Sequence, residues 1–288
     1  MANDEKMAGT VVAERYELQE LIGSGGMAVI YQVHHRPTNK VLAMKMLRSH
    51  MSTTPKYVQH LMQEAKALSL LSHPAIVSVA DMGIAPSGQP YILLERIYGE
   101  SLQQILDRDK RVDLNRALAI FAQACDALAH AGERQVFHGD LKPSHFLLFK
   151  DESGKECVKI IGFRVIGKNQ AESTSKSIDS KTGEIYGCPP YMSPEQCRCK
   201  PLDERSDIYS LACVIYEVVT GKPPFLKDTP QATLLEQISA EPKPLQIGDD
   251  PEKIKRLQEV LFKAMAKEAG DRYQSMKEFK QALQSAAL

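Results

Sequence analysis

Apolar residues change their spacing once along this chain, near Gly99, and that change sets the fold class. Before it, residues 16–22, 29–35, 41–47, 76–83 and 91–96 are short runs rich in Val, Ile, Leu or Tyr, parted by Gly, Pro, Asn and Ser turns. Runs of that length and composition read as strands of a small antiparallel sheet. Val58, Leu61, Ala65 and Leu68 recur at helical spacing between the third and fourth runs, so one helix lays an apolar stripe on the sheet, with Glu64 near it. After Gly99, Leu114, Leu118, Phe121, Ala122, Cys125 and Leu128 mark a long amphipathic helix. Residues 208–220 are apolar nearly all round, the pattern of a buried central helix, and further helical patterns cover 251–266 and 275–286. The expected architecture is α+β in two lobes, residues 15–96 and 97–288, behind a leader of residues 1–14.

A chain of 288 residues with 43% hydrophobic content has the apolar material for two cores. Its 36 basic residues cancel its 36 acidic ones, so no global field points to nucleic acid or an acidic membrane surface. The polar start argues against a secretory signal. The longest apolar stretch, 211–219, is broken by Glu217 and falls short of the roughly 18 residues of a membrane span. A cytoplasmic protein is expected. Six scattered cysteines read as reduced thiols. Cys197-Arg198-Cys199 lacks a second Cys/His pair at zinc-ligand spacing and reads as a surface loop. Residues 168–181, rich in Ser, Thr and Lys, read as a mobile loop.

Two motifs carry chemistry in the first lobe. Ile22-Gly23-Ser24-Gly25-Gly26 lies between two strands, where missing side chains let backbone N–H groups approach phosphate oxygens. Glycine turns also join hairpins that bind nothing. Val41-Leu42-Ala43-Met44-Lys45 places a lysine inside an apolar strand. That ammonium needs a partner, for which Glu64 is the candidate, or it snorkels out from an edge strand.

The second lobe holds Phe137-His138-Gly139-Asp140-Leu141-Lys142-Pro143-Ser144-His145, then Gly187-Cys188-Pro189-Pro190-Tyr191-Met192-Ser193-Pro194-Glu195, then Asp207-Ile208-Tyr209-Ser210-Leu211. With these motifs in order, the chain resembles the bacterial branch of the eukaryotic-like serine/threonine protein kinases from residue 15 to its end. His73-Pro74-Ala75-Ile76-Val77 and Gly221-Lys222-Pro223-Pro224-Phe225 are similar to that branch in particular.

The resemblance implies roles. Residues Ile22 to Gly26 would cover the nucleotide, and Lys45 would hold the α/β-phosphates while paired to Glu64. Ile30, Ala43 and Leu147 would sandwich the adenine, with gatekeeper Leu94 and a hinge from Glu95 to Ile97. Asp140 falls at the catalytic-base position, with Lys142 two places on. His138 and Phe163 would stack in the regulatory spine. Glu195 would pair with Arg272, and Asp207 would anchor the catalytic loop. The activation segment would be 162–195.

Five positions depart from the family pattern. The catalytic-loop asparagine is His145, the arginine before the catalytic aspartate is Gly139, and Asp-Phe-Gly reads Gly162-Phe163-Arg164. Cys188 stands for a threonine. Magnesium takes oxygen ligands in a tight octahedron, so the protein is not expected to hold it. Gly139 removes the residue that gathers an activation-loop phosphate. Ser173, Thr174, Ser175, Ser177, Ser180 and Thr182 either take phosphate from another kinase or belong to a neutral linker. Arg164 either replaces part of the missing charge near the phosphates or faces solvent.

The expected function is a pseudokinase: a nucleotide-binding regulatory or scaffold module in signalling. Its ligand would be ATP without a protein-held metal, and its partner an active kinase or another signalling protein. The alternatives are an enzyme, either a serine/threonine kinase that is weak or uses a different metal such as manganese, or a rearranged transferase, and a scaffold that binds no nucleotide.

Overall fold

The computed structural model describes residues 7–163, 185, 187–248 and 250–286. The chain divides into two compact units, Met1–Ser72 with Val77–Tyr98, and His73–Ile76 with Gly99–Leu288.

The first unit contains β1 (Val11–Val12), β2 (Tyr16–Ser24), β3 (Ala28–His35), β4 (Lys40–Leu47), α1 (Ser49–Ser52), α2 (Pro55–Ser69), β5 (Val79–Ile84) and β6 (Pro90–Glu95). All strand pairs are antiparallel, in the order β1-β2-β3-β4-β6-β5. On β3, Val29, Tyr31 and Val33 alternate inward and are fully buried with Met44, Met46 and Leu93, the period-two burial that makes these residues a strand. Pro55 opens α2 at its first turn, where a missing N–H costs nothing. Leu61, Ala65 and Leu68 are buried along it, as the apolar stripe predicts, and Glu64 is buried with them. β1 lies inside the stretch read as a leader and pairs with β2.

The run expected at 76–83 begins as a strand only at Val79. The reason is a competing partner. The Ile160 N–H donates to the Ala75 carbonyl at 2.8 Å, and Ile76 makes a parallel bridge to Ile160, so these residues belong to the second unit.

That unit runs β7 (Glu100–Ser101), α3 (Leu102–Asp109), α4 (Leu114–Glu133), β8 (Phe146–Lys150), β9 (Glu156–Ile160), α5 (Pro194–Cys197), α6 (Glu204–Thr220), α7 (Pro230–Ser239), α8 (Pro251–Ala264) and α9 (Met276–Ala286). β7, β8 and β9 form an antiparallel three-stranded sheet. α6 is the central helix: every residue from Ser206 to Val219 is buried. Asp203 caps its start, and Gly221 ends it at φ +84, where a Cβ would meet the Lys110 carbonyl oxygen at 2.7 Å. Glu217 does not break the helix, because the Tyr191 hydroxyl donates to its carboxylate at 2.5 Å and burial raises its pKa. The surface-loop expectation for Cys197 to Cys199 is corrected at its first residue: Cys197 is buried at the end of α5, where its side chain fills apolar space, while Arg198 and Cys199 are exposed in the turn that follows. All six cysteines are free. No described helix is long and apolar enough to cross a membrane.

Candidate functional site

Lys45 lies on β4, opposite Ile30 on β3 and Ile92 on β6. β4 is interior to the sheet, so Lys45 does not snorkel from an edge. Its ammonium meets the Glu64 carboxylate at 2.5 Å, the side chains 24% and 9% exposed. Ala43 pairs with Leu94 two places along. Strand alternation therefore puts Ile30, Ala43, Lys45 and Leu94 on one sheet face. Glu95 is tied to the start of β5: its carboxylate accepts from Ser78 N–H at 2.8 Å, and its own N–H donates to the Ser78 carbonyl at 3.0 Å. Ile97 is buried beyond it.

Ile22, Gly23 and Ser24 end β2 with irregular register, and Gly25 N–H closes the turn onto the Ala28 carbonyl at 2.9 Å. The sequence reading missed Arg48. This buried residue donates from Nε to the Gly25 carbonyl at 2.9 Å and from Nη2 to Ser24 Oγ at 2.7 Å, fixing the glycine loop from the far end of β4. An arginine directly after an apolar strand was its only sequence signal.

In the second unit the Asp207 carboxylate accepts the N–H groups of His138 at 2.6 Å and Gly139 at 2.9 Å. Burial pushes its carboxyl up to about 7, with the two donors pulling against that rise. Gly139 turns at φ +70, which glycine adopts freely. Gln196, also missed, donates from Nε2 to the Gly139 carbonyl at 2.8 Å. Asp140 and Lys142 approach to 3.5 Å. Cys188 stays a neutral thiol, because burial pushes its pKa up to about 11 while the Lys142 ammonium pulls it back less. Leu147 sits half-buried on β8, paired with Lys159 on β9. Glu195 and Arg272 form the expected pair at 2.8 and 2.9 Å.

Tilted rings and hydrogen bonds close the loop of residues 138–145 on itself. The His145 Nδ1–H donates to the Asp140 carbonyl at 2.8 Å, and Ile161 N–H donates to the His145 carbonyl at 3.0 Å. His138 donates from Nε2 to the Ile161 carbonyl at 3.0 Å and accepts Asp140 N–H at Nδ1. Its ring lies 4.5 Å from that of Phe163 and 5.5 Å from that of His145. Full burial drops the His138 pKa to about 3. The unfolded chain, near 6.5, binds this proton first, so the contribution of His138 to stability is complete above about 6.5 and is lost as pH falls toward 3. Urea midpoints at successive pH values are expected to show it, at up to about 1.4 kcal/mol per pH unit. His138→Leu should flatten that limb by one proton.

Arg164, residues 168–181 and the six Ser/Thr positions from 173 to 182 lie outside the described residues.

The protein kinase domain model matches residues 16–285. The chain belongs to the protein-kinase family. It is similar to the serine/threonine-protein kinase PknB of Mycolicibacterium smegmatis, 34% identical over 275 residues, covering 93% of this chain and 42% of that protein. PknB of Mycobacterium tuberculosis is 34% identical over 272 residues, with the same coverage. The chain thus spans about two fifths of the length of these curated relatives. The crystal structure of the Mycobacterium tuberculosis PknI kinase domain superposes with a TM-score of 0.72 at 24% identity, covering 97% of this chain and 98% of that one. That likeness establishes the bilobal kinase fold, with its antiparallel-sheet N-lobe and helical C-lobe. The relatives' names favour the phosphotransferase alternative over the pseudokinase expectation.

Kinases use ATP, usually with magnesium. At the two positions that the resemblance implies for metal ligands, this kinase domain presents the His145 imidazole and the bare backbone of Gly162. Neither side chain supplies a carboxylate or amide oxygen of the kind that magnesium takes. Among the described residues, no group of three or more His, Cys, Asp or Glu side chains is placed to hold a metal ion.

Proposed function

We propose that this chain is an ATP-binding kinase domain of the serine/threonine type with much weakened phosphoryl transfer, acting in signalling mainly as a nucleotide-responsive module for a protein partner. The observation carrying this reading is the split between what is kept and what is replaced. The Lys45–Glu64 pair is made at 2.5 Å, while the two metal positions carry an imidazole and no side chain. Lys45 would grip phosphate oxygens, held in place by Glu64. Asp140, with Lys142 beside it, would orient a substrate hydroxyl. Phosphoryl transfer rests on positioning and charge neutralisation. Loss of both oxygen ligands therefore costs several kcal/mol of barrier, with each ~1.4 kcal/mol about tenfold in rate. The proposed setting is cytoplasmic, and the partner an active kinase or another signalling protein.

A second reading, a weak serine/threonine kinase served by manganese, is favoured by the relatives' names and by the retained Asp140 and Lys142. One experiment separates the two. ATP is titrated in magnesium and in EDTA by thermal shift, and radiolabel transfer to the chain itself and to a generic basic protein is followed with magnesium or manganese. Stabilisation by ATP in EDTA with negligible transfer is the expected result. Transfer that vanishes in Asp140→Asn establishes the second reading, and no response to ATP under any condition leaves only a scaffold.

A further inference from the structure

Gly162 has φ +77, and the His145 ring lies against the face where a side chain would begin. A Cβ built there would stand 2.8 Å from both Cε1 and Nε2 of His145 and 3.1 Å from Cδ2. Contacts under 3.0 Å force something to move. The ring does not move cheaply. It gives its Nδ1–H to the Asp140 carbonyl at 2.8 Å and packs beside His138, which is itself buried against Phe163. The backbone on both sides is also held, since Ile161 N–H bonds the His145 carbonyl and the Ile161 carbonyl takes the His138 Nε2–H. The left-handed φ strains any side chain at 162 whatever the space around it, a conformation that aspartate visits only occasionally, but that cost is the same whichever residue stands at 145. Ring volume is the second obstacle, and the one that depends on residue 145.

We propose that His145 plugs the space of the residue-162 side chain, so that the two departures from the kinase pattern are one coupled unit. An oxygen ligand cannot return at 162 until the side chain at 145 is made smaller. This rests on the alignment that makes 145 and 162 the family's metal positions, and it needs no nucleotide to be bound. It also supplies an order of events. Once the imidazole is in place, glycine is the residue that fits at 162 without displacing it, and restoring Gly162→Asp by itself makes the loop worse before any metal can help.

The test is a double-mutant cycle on the whole chain: the unaltered protein, His145→Asn, Gly162→Asp and the double variant. Thermal unfolding is measured first in EDTA without nucleotide. Gly162→Asp alone is expected to lower the midpoint by roughly 5 °C, an overpacking cost for a domain of this size. In the His145→Asn background the same change should lower it by less than half as much. A parallel cycle of Gly162→Ala with His145→Ala repeats the comparison without introducing a charge. Calorimetric titration with ATP in magnesium and in EDTA follows, where a gain of roughly tenfold in affinity from magnesium, about 1.4 kcal/mol, is expected only in the double variant. Equal midpoint losses in the two backgrounds overturn the proposal, as does a magnesium gain in Gly162→Asp alone. Absence of ATP binding in all four proteins would sink the nucleotide reading instead, since the cycle in EDTA decides the plug by itself.

Discussion

Arg272→Ala is expected to cost about 3–5 kcal/mol of folding stability, the range for removing one partner of a buried ion pair. The guanidinium is fully buried and uses all five N–H groups. Two go to Glu195 at 2.8 and 2.9 Å, and the others to the carbonyls of Ala266, Arg205 and Lys267 at 2.8, 2.9 and 3.0 Å. Truncation leaves the Glu195 carboxylate, which is 13% exposed, with the Ser206 hydroxyl at 2.6 Å but no counter-ion, and three carbonyls short of a donor. Burial pushes the Glu195 pKa up, but the hydrogen bonds and charge of Arg272 outweigh that and hold it below its ordinary value. With Arg272 gone, that balance reverses. Arg272→Lys should rescue little, because a compact ammonium with three donors cannot span a carboxylate and three carbonyls. Urea unfolding followed by far-UV circular dichroism measures both variants. A loss below about 1 kcal/mol for Arg272→Ala would mean that solvent reaches this pair despite its burial.

The same pair shows which parts of the fold were readable in advance. Glu195 and Arg272 stand 77 residues apart, and no periodicity links them; only the resemblance of Ser-Pro-Glu and the later arginine to a family pattern does. Periodicity did identify α2, α4 and α6, since each buries a whole face or its whole circumference. It failed where a strand's residues change allegiance, as at Ile76, or where an element is too short to carry a period, as with β1 and β7. Glu217 looked like an interruption of an apolar run because its partner, the Tyr191 hydroxyl, lies 26 residues upstream.

Within the candidate site, the residues proposed to face a nucleotide carried a signal in the sequence and those that hold the backbone did not. Lys45 stood out as a charge in an apolar strand, and Glu64 followed as the nearest acid on the next helix. Arg48 and Gln196 act on main-chain carbonyls 23 and 57 residues away. Any arginine or glutamine can do that, so their type carries no warning. His145 is intermediate. Its identity marked a departure from the family's asparagine, but its contact with Gly162 depends on a turn at φ +77 that the sequence does not show. Two departures that are separate in sequence thus become one proposed steric unit in the fold.

Lys45→Met should abolish the stabilisation that ATP gives. At a free ligand concentration 100 times Kd, ATP is expected to add about 2.7 kcal/mol to the unaltered protein, and close to nothing to this variant. Methionine keeps the apolar stem but leaves Glu64 buried without its cation, so the ligand-free variant will itself be less stable, and the informative quantity is the gain on adding ATP rather than the midpoint. Glu64→Gln separates the two roles of the pair. It leaves the ammonium in place without its acidic partner at 2.5 Å, so a partial response is expected. Because Lys45 would act on phosphate oxygens directly, its loss should cost the same in EDTA as in magnesium. A defect confined to magnesium would mean that metal, not lysine, organises the nucleotide, and an ATP response unchanged in Lys45→Met would place the nucleotide elsewhere than on the β4 face.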